Sequence, residues 1–287
     1  MAARVAPLIL PSRSRALAVV IAFPPMNYHN ADRGRPISSM PNTLRSPWPR
    51  PTVLVTGASR GIGRAIGLQF GRAGWTVGVH YRQRADQAAA TVSEIIRGGS
   101  QASAYQADVR DGRQVDRMFG RVHADWPRID ALVCNAAMSH SGLLLRQDEK
   151  DWDAVVSTNL TGTFHCIRAA AELMAKQGDG AIIVIGSYSG LRGQRGQAAY
   201  SASKAGLLGL AKTAAQELAY HHIRVNVVLP GWHPTELTGS AMPASDELND
   251  HVLARTPDLD EVARTVVHLA TLRDVSGQIW NLDSRLL

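Results

Sequence analysis

The stretch Thr52-Val53-Leu54-Val55-Thr56-Gly57-Ala58-Ser59-Arg60-Gly61-Ile62-Gly63 passes from an apolar run into a glycine-rich turn. From Gly61 a helical pattern runs to Ala73, with Ile62, Ile66 and Phe70 on one face. A helix opening at such a turn presents free backbone N–H groups and the positive end of its dipole. Glycines there let a pyrophosphate approach the backbone. The spacing is G-x-x-x-G-x-G rather than the common G-x-G-x-x-G, and three glycines in a turn often serve only geometry. Their place between a strand and a helix, at the head of an α/β pattern, favours dinucleotide binding.

Beyond this turn strands and helices alternate. Strands are expected at Trp75–Tyr81, Ala102–Gln106, Ile129–Cys134, Ala181–Gly186, Ile223–Leu229 and Gln278–Leu282. Helices are expected at Asp86–Arg97, from Asp111 to about Ala124, and at Trp152–Gln177, Ala198–Tyr220, Asp246–Arg255 and Leu259–Thr271. The strands are continuous apolar runs, as in strands covered on both faces. The expected fold is therefore α/β: a three-layer, doubly wound parallel sheet in a single domain over residues 51–287.

The 287 residues are 45% hydrophobic and 19% charged, enough for a sizeable core, which excludes a disordered or fibrous body. The two cysteines, Cys134 and Cys166, exclude a disulfide scaffold, and no C-x-x-C pair suggests zinc; no metal is expected. No apolar run approaches the length of a membrane span. The formal charge is +7, but residues 1–50 carry seven arginines against Asp32, a local +6. The other 237 residues hold 24 basic and 23 acidic side chains, so no basic groove for nucleic acid is expected.

Nine of the fourteen prolines lie in residues 1–51, and the segment shows no sustained periodicity. It reads as an unpacked, basic, proline-rich extension. Three readings stay open. It is an organelle transit peptide, a secretory signal built on Ala16–Phe23, or an extension without a role in the fold, with Met26 and Met40 as alternative starts. The expected location is cytoplasmic, or the mitochondrial matrix or plastid if residues 1–39 are a transit peptide.

The second strand ends His80-Tyr81-Arg82-Gln83, without the carboxylate that commonly binds the ribose 2′-hydroxyl of NAD. Arg60 in the turn and Arg82 beyond the strand suit a 2′-phosphate, so NADP(H) is the expected cofactor. The alternative is two ordinary surface arginines. Tyr200 and Lys204 lie four apart in a helical pattern and share a face. A nearby ammonium favours the phenolate, and this predicts a lowered Tyr200 pKa and a usable proton donor or acceptor. Ser187 follows the Ala181–Gly186 strand at a carboxyl end, where ligands bind in such sheets, with Ser189 as a decoy. Asn159 sits mid-helix, where asparagine is a poor helix former; a functional role and a buried structural amide are both open.

Together these residues resemble the short-chain dehydrogenase/reductases over nearly all of residues 52–287. The motifs are Thr56-Gly57-x-x-x-Gly61-x-Gly63, Asn135-Ala136-Ala137, Asn159, Ser187, Tyr200-x-x-x-Lys204 and Pro230-Gly231, in order and at fitting intervals. The resemblance implies a Rossmann-type enzyme acting on CH–OH groups. It makes Tyr200 the general acid in reduction and has Ser187 orient the carbonyl. Lys204 would bind the nicotinamide ribose, and Asn159 would hold a relay water. The implied cofactor set is Gly57, Ser59, Arg60, Gly61, Ile62, Gly63, Tyr81, Arg82, Asp108, Val109, Asn135, Ala136, Tyr200, Lys204, Pro230, Gly231 and Thr235. Asp108 would contact adenine, Asn135 would lie near the adenosine ribose, and Thr235 would approach the carboxamide or pyrophosphate.

Within that family the sequence is most similar to the 3-oxoacyl-[acyl-carrier-protein] reductases of fatty acid biosynthesis. This implies a 3-oxoacyl thioester substrate, an acyl carrier protein partner and a homodimer or homotetramer built on Trp152–Gln177 and Ala198–Tyr220. Departures leave another small ketone or alcohol open, and more distantly a non-catalytic NADP-binding scaffold. The carrier-docking cations are depleted at Lys176-Gln177-Gly178-Asp179-Gly180 and Tyr220-His221-His222. The chain also ends Trp280-Asn-Leu-Asp-Ser-Arg-Leu-Leu287, without the Gly-Gly pair of many relatives.

Overall fold

The computed structural model describes residues 50–239 and 248–286. Seven strands form one wholly parallel sheet: β1 (Thr52–Val55), β2 (Thr76–Tyr81), β3 (Ala102–Gln106), β4 (Ala131–Cys134), β5 (Gly180–Ile185), β6 (Ile223–Leu229) and β7 (Ile279–Asn281). Their order is β3-β2-β1-β4-β5-β6-β7, the doubly wound arrangement expected from the alternation. The helices are α1 (Gly61–Arg72), α2 (Ala85–Arg97), α3 (Gly112–Asp125), α4 (Glu149–Val156), α5 (Gly162–Gln177), the short α6 (Ser189–Arg192), α7 (Ala198–Leu218) and α8 (Leu259–Thr271).

Side chains alternate across a strand, so a strand covered on both faces must be apolar at nearly every position. In β1, Val53 and Val55 pack with Ile66 and Phe70 of α1, Ile95 of α2 and Val266 of α8. Leu54 between them joins Phe119 of α3, Ile167 of α5 and Leu207 of α7 on the opposite face. Each such large side chain contributes about 1.5–3 kcal/mol when fully buried. Asn226 interrupts the apolar run of β6; its amide donates to Val275 O (2.8 Å) and accepts from Gln278 N (3.1 Å), docking the approach to β7. Asp111, Asp148 and Asp258 cap α3, α4 and α8, whereas α1 begins at Arg60 with no side-chain cap.

The chain leaves β1 toward β2 and β3, then returns to β4 on the other side. The carboxyl ends of β1 and β4 therefore diverge into a crevice. The register pairs Val55 with Val133 and Ile185 with Val228. Thr56, Asn135, Ser187 and Pro230 consequently leave the sheet along one edge.

Two expected helices come out differently. Trp152–Gln177 is not one α-helix: α4 and α5 are joined by a wide π turn at Ser157–Thr161. Hydroxyls in and just after it bond back to the backbone, with Thr158 Oγ1 donating to Ala154 O (2.7 Å) and Thr163 Oγ1 of α5 to Asn159 O (2.7 Å). Such turns appear mostly as single insertions, frequently at functional sites. The helix expected at Asp246–Arg255 is absent where it is described, since residues 248–255 form turns. Leu248 and His251 are buried there, and His251 bridges antiparallel to Arg285. The apolar spacing thus serves a contact with the C-terminal tail. The unpacked extension expected for residues 1–50 lies outside the described residues except Arg50, whose Nη1 donates to Gly99 O (3.0 Å). Asp246 and Glu247 also lie outside them.

Candidate active site

The glycine turn is built from both sides. Gly57 and Gly61 adopt φ of +65° and +54°, where side chains are strained. A Cβ on Gly63 would lie 2.4 Å from Gly57 O, so only glycine allows the turn to close on α1. Thr56 Oγ1 accepts from Asn135 N (2.8 Å) and Ala136 N (3.0 Å). Asn135 Nδ2 donates to Thr56 O (2.9 Å) and Gly57 O (3.2 Å). Gly57 N donates to His80 Nδ1 (2.9 Å), while His80 Nε2 lies 3.1 Å from Ala107 O. Burial lowers the His80 pKa to about 4. The ring is therefore neutral, with Nδ1 as acceptor and Nε2–H as donor, which satisfies both bonds.

This turn floors a cleft of about 300 Å³, walled by Tyr81, Arg82 and Arg84 at the exit of β2, by Ala107–Val109, Asn135–Met138 and Thr235–Leu237. Arg60 forms an ion pair with Glu236 across it. Asp108 is held by Arg110 Nε at 2.9 and 3.0 Å, which keeps its carboxyl below the usual range. Asp108 N donates to Gln114 Oε1 (3.0 Å).

A second cleft, about 90 Å³, contains Ser187, Tyr200 and Lys204 and shares Ile62, Asn135, Ala137, Thr235 and Leu237 with the first. The two clefts therefore adjoin at the carboxyl edge of the sheet. Lys204 Nζ is buried, donates to Ile185 O (2.7 Å) and lies 5.6 Å from the Tyr200 ring centroid. Burial lowers its pKa to about 8. Burial also raises the Tyr200 pKa, and the Ser187 hydroxyl only opposes that rise. The expected lowering of Tyr200 by Lys204 is thus corrected: desolvation of the phenol sets the direction, and the Lys204 ammonium is directed at a backbone carbonyl.

Asn159 is 1% exposed. Its Oδ1 accepts from Met138 N (2.8 Å); its Nδ2 donates to Met138 O (2.9 Å) and Ser203 Oγ (3.0 Å). Both amide hydrogens are taken within the fold, so the side chain clamps the Met138 loop to α7 and has no N–H left for a relay water. Ser203 Oγ in turn donates to Tyr200 O (2.7 Å).

The sequence profile of the family described as short chain dehydrogenase matches residues 51–246. The chain belongs to the short-chain dehydrogenase family. It is 44% identical over 237 residues to a 3-oxoacyl-[acyl-carrier-protein] reductase of Synechocystis, covering 82% of this chain and 96% of that protein. It is 43% identical over 239 residues to a protein of the same name from Staphylococcus epidermidis, covering 81% and 97%. The crystal structure of a putative short-chain alcohol dehydrogenase from Sinorhizobium meliloti superposes with a TM-score of 0.77 at 33% identity, covering 82% of this chain and 95% of that one.

As a short-chain dehydrogenase the chain is an oxidoreductase, and most of the expected site residues converge on its two clefts. Gly57, Ser59, Arg60, Gly61, Ile62, Tyr81, Arg82, Asp108, Val109, Asn135, Ala136 and Thr235 line the first. Ser187, Tyr200, Lys204, Pro230 and Gly231 line the second. Gly63 and Asn159 act from behind the walls. Sequence reasoning missed His80, Arg84, Glu236, Trp232 and Arg285. Arg84 had a signal, being two residues beyond Arg82. His80 and Arg285 had none, because their partners are distant in the chain. Among the described residues no three His, Cys, Asp or Glu side chains gather as a metal site, and no helix is long and apolar enough to cross a membrane.

Proposed function

We propose that this chain is an NADPH-dependent carbonyl reductase whose substrate is a 3-oxoacyl thioester. The observation that carries it is the junction of the glycine-turn cleft with a cleft holding Ser187, Tyr200 and Lys204. The substrate class is supported by relatives named 3-oxoacyl-[acyl-carrier-protein] reductase at 43–44% identity.

The first cleft fits a 2′-phosphorylated dinucleotide. Among the described residues neither Arg82 nor Arg84 forms a close ion pair, although the charge of Arg82 reaches Asp108, and β2 ends without an acid. The first-turn amides of α1 have no side-chain cap, which leaves them free to bind a pyrophosphate. When bound, NADPH supplies the hydride for the carbonyl carbon. Ser187 donates to the carbonyl oxygen and orients it. Tyr200 gives its phenolic proton to that oxygen, completing the alcohol. Its raised pKa keeps the proton in place at neutral pH, and an ammonium on Lys204 would favour the phenolate left behind. Asn159 is a positioning residue for the first turn of α7. The reading includes a homodimer or homotetramer, in which α4 and α5 would cover Trp152 and Phe164, 37% and 44% exposed here.

The test is NADPH consumption, with NADH in parallel, on a short 3-oxoacyl thioester. NADPH-selective turnover that collapses about 10²–10⁴-fold in Tyr200→Phe, with nucleotide binding retained, is the expected result. Full activity in Tyr200→Phe would remove the assigned general acid. Equal use of NADH would remove the role of Arg82 and Arg84.

A further inference from the structure

We propose that Arg285 recognises a second carbonyl oxygen of the substrate, so that the cleft selects 1,3-dicarbonyl compounds over simple ketones; this rests on the reductase reading above. In a 3-oxoacyl thioester the thioester carbonyl stands one methylene from the carbonyl being reduced. A donor beside the Ser187–Tyr200 pair would meet it.

Arg285 lines the catalytic cleft although it comes from the C-terminal tail. Its guanidinium lies 4.1 Å over the ring of Tyr188, the residue after Ser187. Nε donates to Asp283 Oδ2 (2.9 Å), Nη2 donates to the same oxygen (2.5 Å), and Arg285 N donates to Asp283 Oδ1 (2.9 Å). The Arg285 side chain is 9% exposed and that of Asp283 fully buried. The tail is tied down by Asn281 Nδ2 to Arg285 O (2.6 Å) and by Tyr188 Oη to Leu286 O (2.9 Å). Asp283 also packs on the backbone after Pro230: a Cβ on Gly231 would lie 2.7 Å from Asp283 Cβ.

A guanidinium has five N–H donors in one plane. Among the described residues Nη1 meets no acceptor, leaving unused donors on a cleft-lining side chain held by stacking and by Asp283. The Asp283 carboxylate cancels the charge, so a substrate carboxylate would gain little attraction. A neutral carbonyl oxygen would accept a charge-assisted hydrogen bond.

The experiment uses the full chain with NADPH and compares kcat/KM for an acetoacetyl thioester with that for a methyl alkyl ketone of equal length, with free acetoacetate as a third arm. In Arg285→Met the thioester-to-ketone ratio is expected to fall about 10- to 100-fold, the value of one hydrogen bond to a charged group. Arg285→Met strands the buried Asp283 carboxylate, so Asp283→Asn/Arg285→Met is measured beside it and should show the same fall. Equal loss on both substrates would make Arg285 a structural tie only and overturn the proposal. So would acetoacetate outcompeting the thioester in the wild-type protein. No turnover of any ketone would sink the reductase reading itself. A diketone titration followed by tryptophan fluorescence, with Trp232 in the cleft wall, then decides the contact: weaker binding in Arg285→Met sustains it, and equal binding overturns it.

Discussion

Asn159→Ala separates a clamp from a water carrier. The substitution strips partners from Met138 N, Met138 O and Ser203 Oγ, all now paired at 2.8–3.0 Å. A buried polar group left unpaired costs about 1–3 kcal/mol. Met138 is half-buried, so water reaches part of its backbone, and the low end applies to each group; the loss is then about 3 kcal/mol. For a domain of this size each kcal/mol lowers Tm by about 2–4 °C, so the fall should be about 6–12 °C. The amide of Met138 should lose hydrogen-exchange protection at the same time. Because Ser203 also donates to Tyr200 O, the start of α7 loosens and kcat should drop about 10- to 100-fold through misplacement of the phenol. The assays are thermal unfolding by circular dichroism, exchange at Met138 and steady-state kinetics. A collapse of kcat with Tm and Met138 protection unchanged would refute the clamp and return Asn159 to a direct part in proton transfer.

Two further predictions concern Lys204 and the glycine turn. Burial lowers the Lys204 pKa from 10.5 to about 8, so the unfolded chain binds more protons there between these values. Wild-type stability should therefore rise relative to Lys204→Met as pH goes from about 8 to 10.5, because the cost of the buried ammonium is full below this window and gone above it; parallel denaturation curves at pH 7 and pH 11 would contradict the burial. Gly63→Ala places a Cβ 2.4 Å from Gly57 O and Asn135 Nδ2. Opening the turn should cost about 1–3 kcal/mol and weaken nicotinamide-dinucleotide binding, and a variant with unaltered Tm and nucleotide affinity would show that the turn is not tight.

Much of the fold was legible because its signals are local. Continuous apolar runs mark strands buried on both faces, and Gly57, Gly61 and Gly63 mark a turn that no other residue enters cheaply. The Tyr200–Lys204 pair was legible for the same reason: four residues of helix bring two side chains to one face. The helix expected over Asp246–Arg255 misled because burial of Leu248 and His251 follows from the tail across from them, and apolar spacing alone cannot tell a helix from such a turn.

By itself, then, the sequence determined the alternation of strand and helix, the turn at the carboxyl end of β1 and the pairing of phenol with ammonium. Tertiary structure alone decided what those groups feel. The direction of the Tyr200 pKa depends on desolvation, which needs the surrounding walls, and the walls come from β4, β5, α7 and the loop after β6. The Asn159–Ser203 bond joins residues 44 apart, and the Tyr188–Leu286 bond joins residues 98 apart. Hydrogen bonding and burial act over a few ångströms of space, whatever the distance along the chain, so Asn159, His80 and Arg285 acquire their surroundings only when the sheet brings its carboxyl edge together.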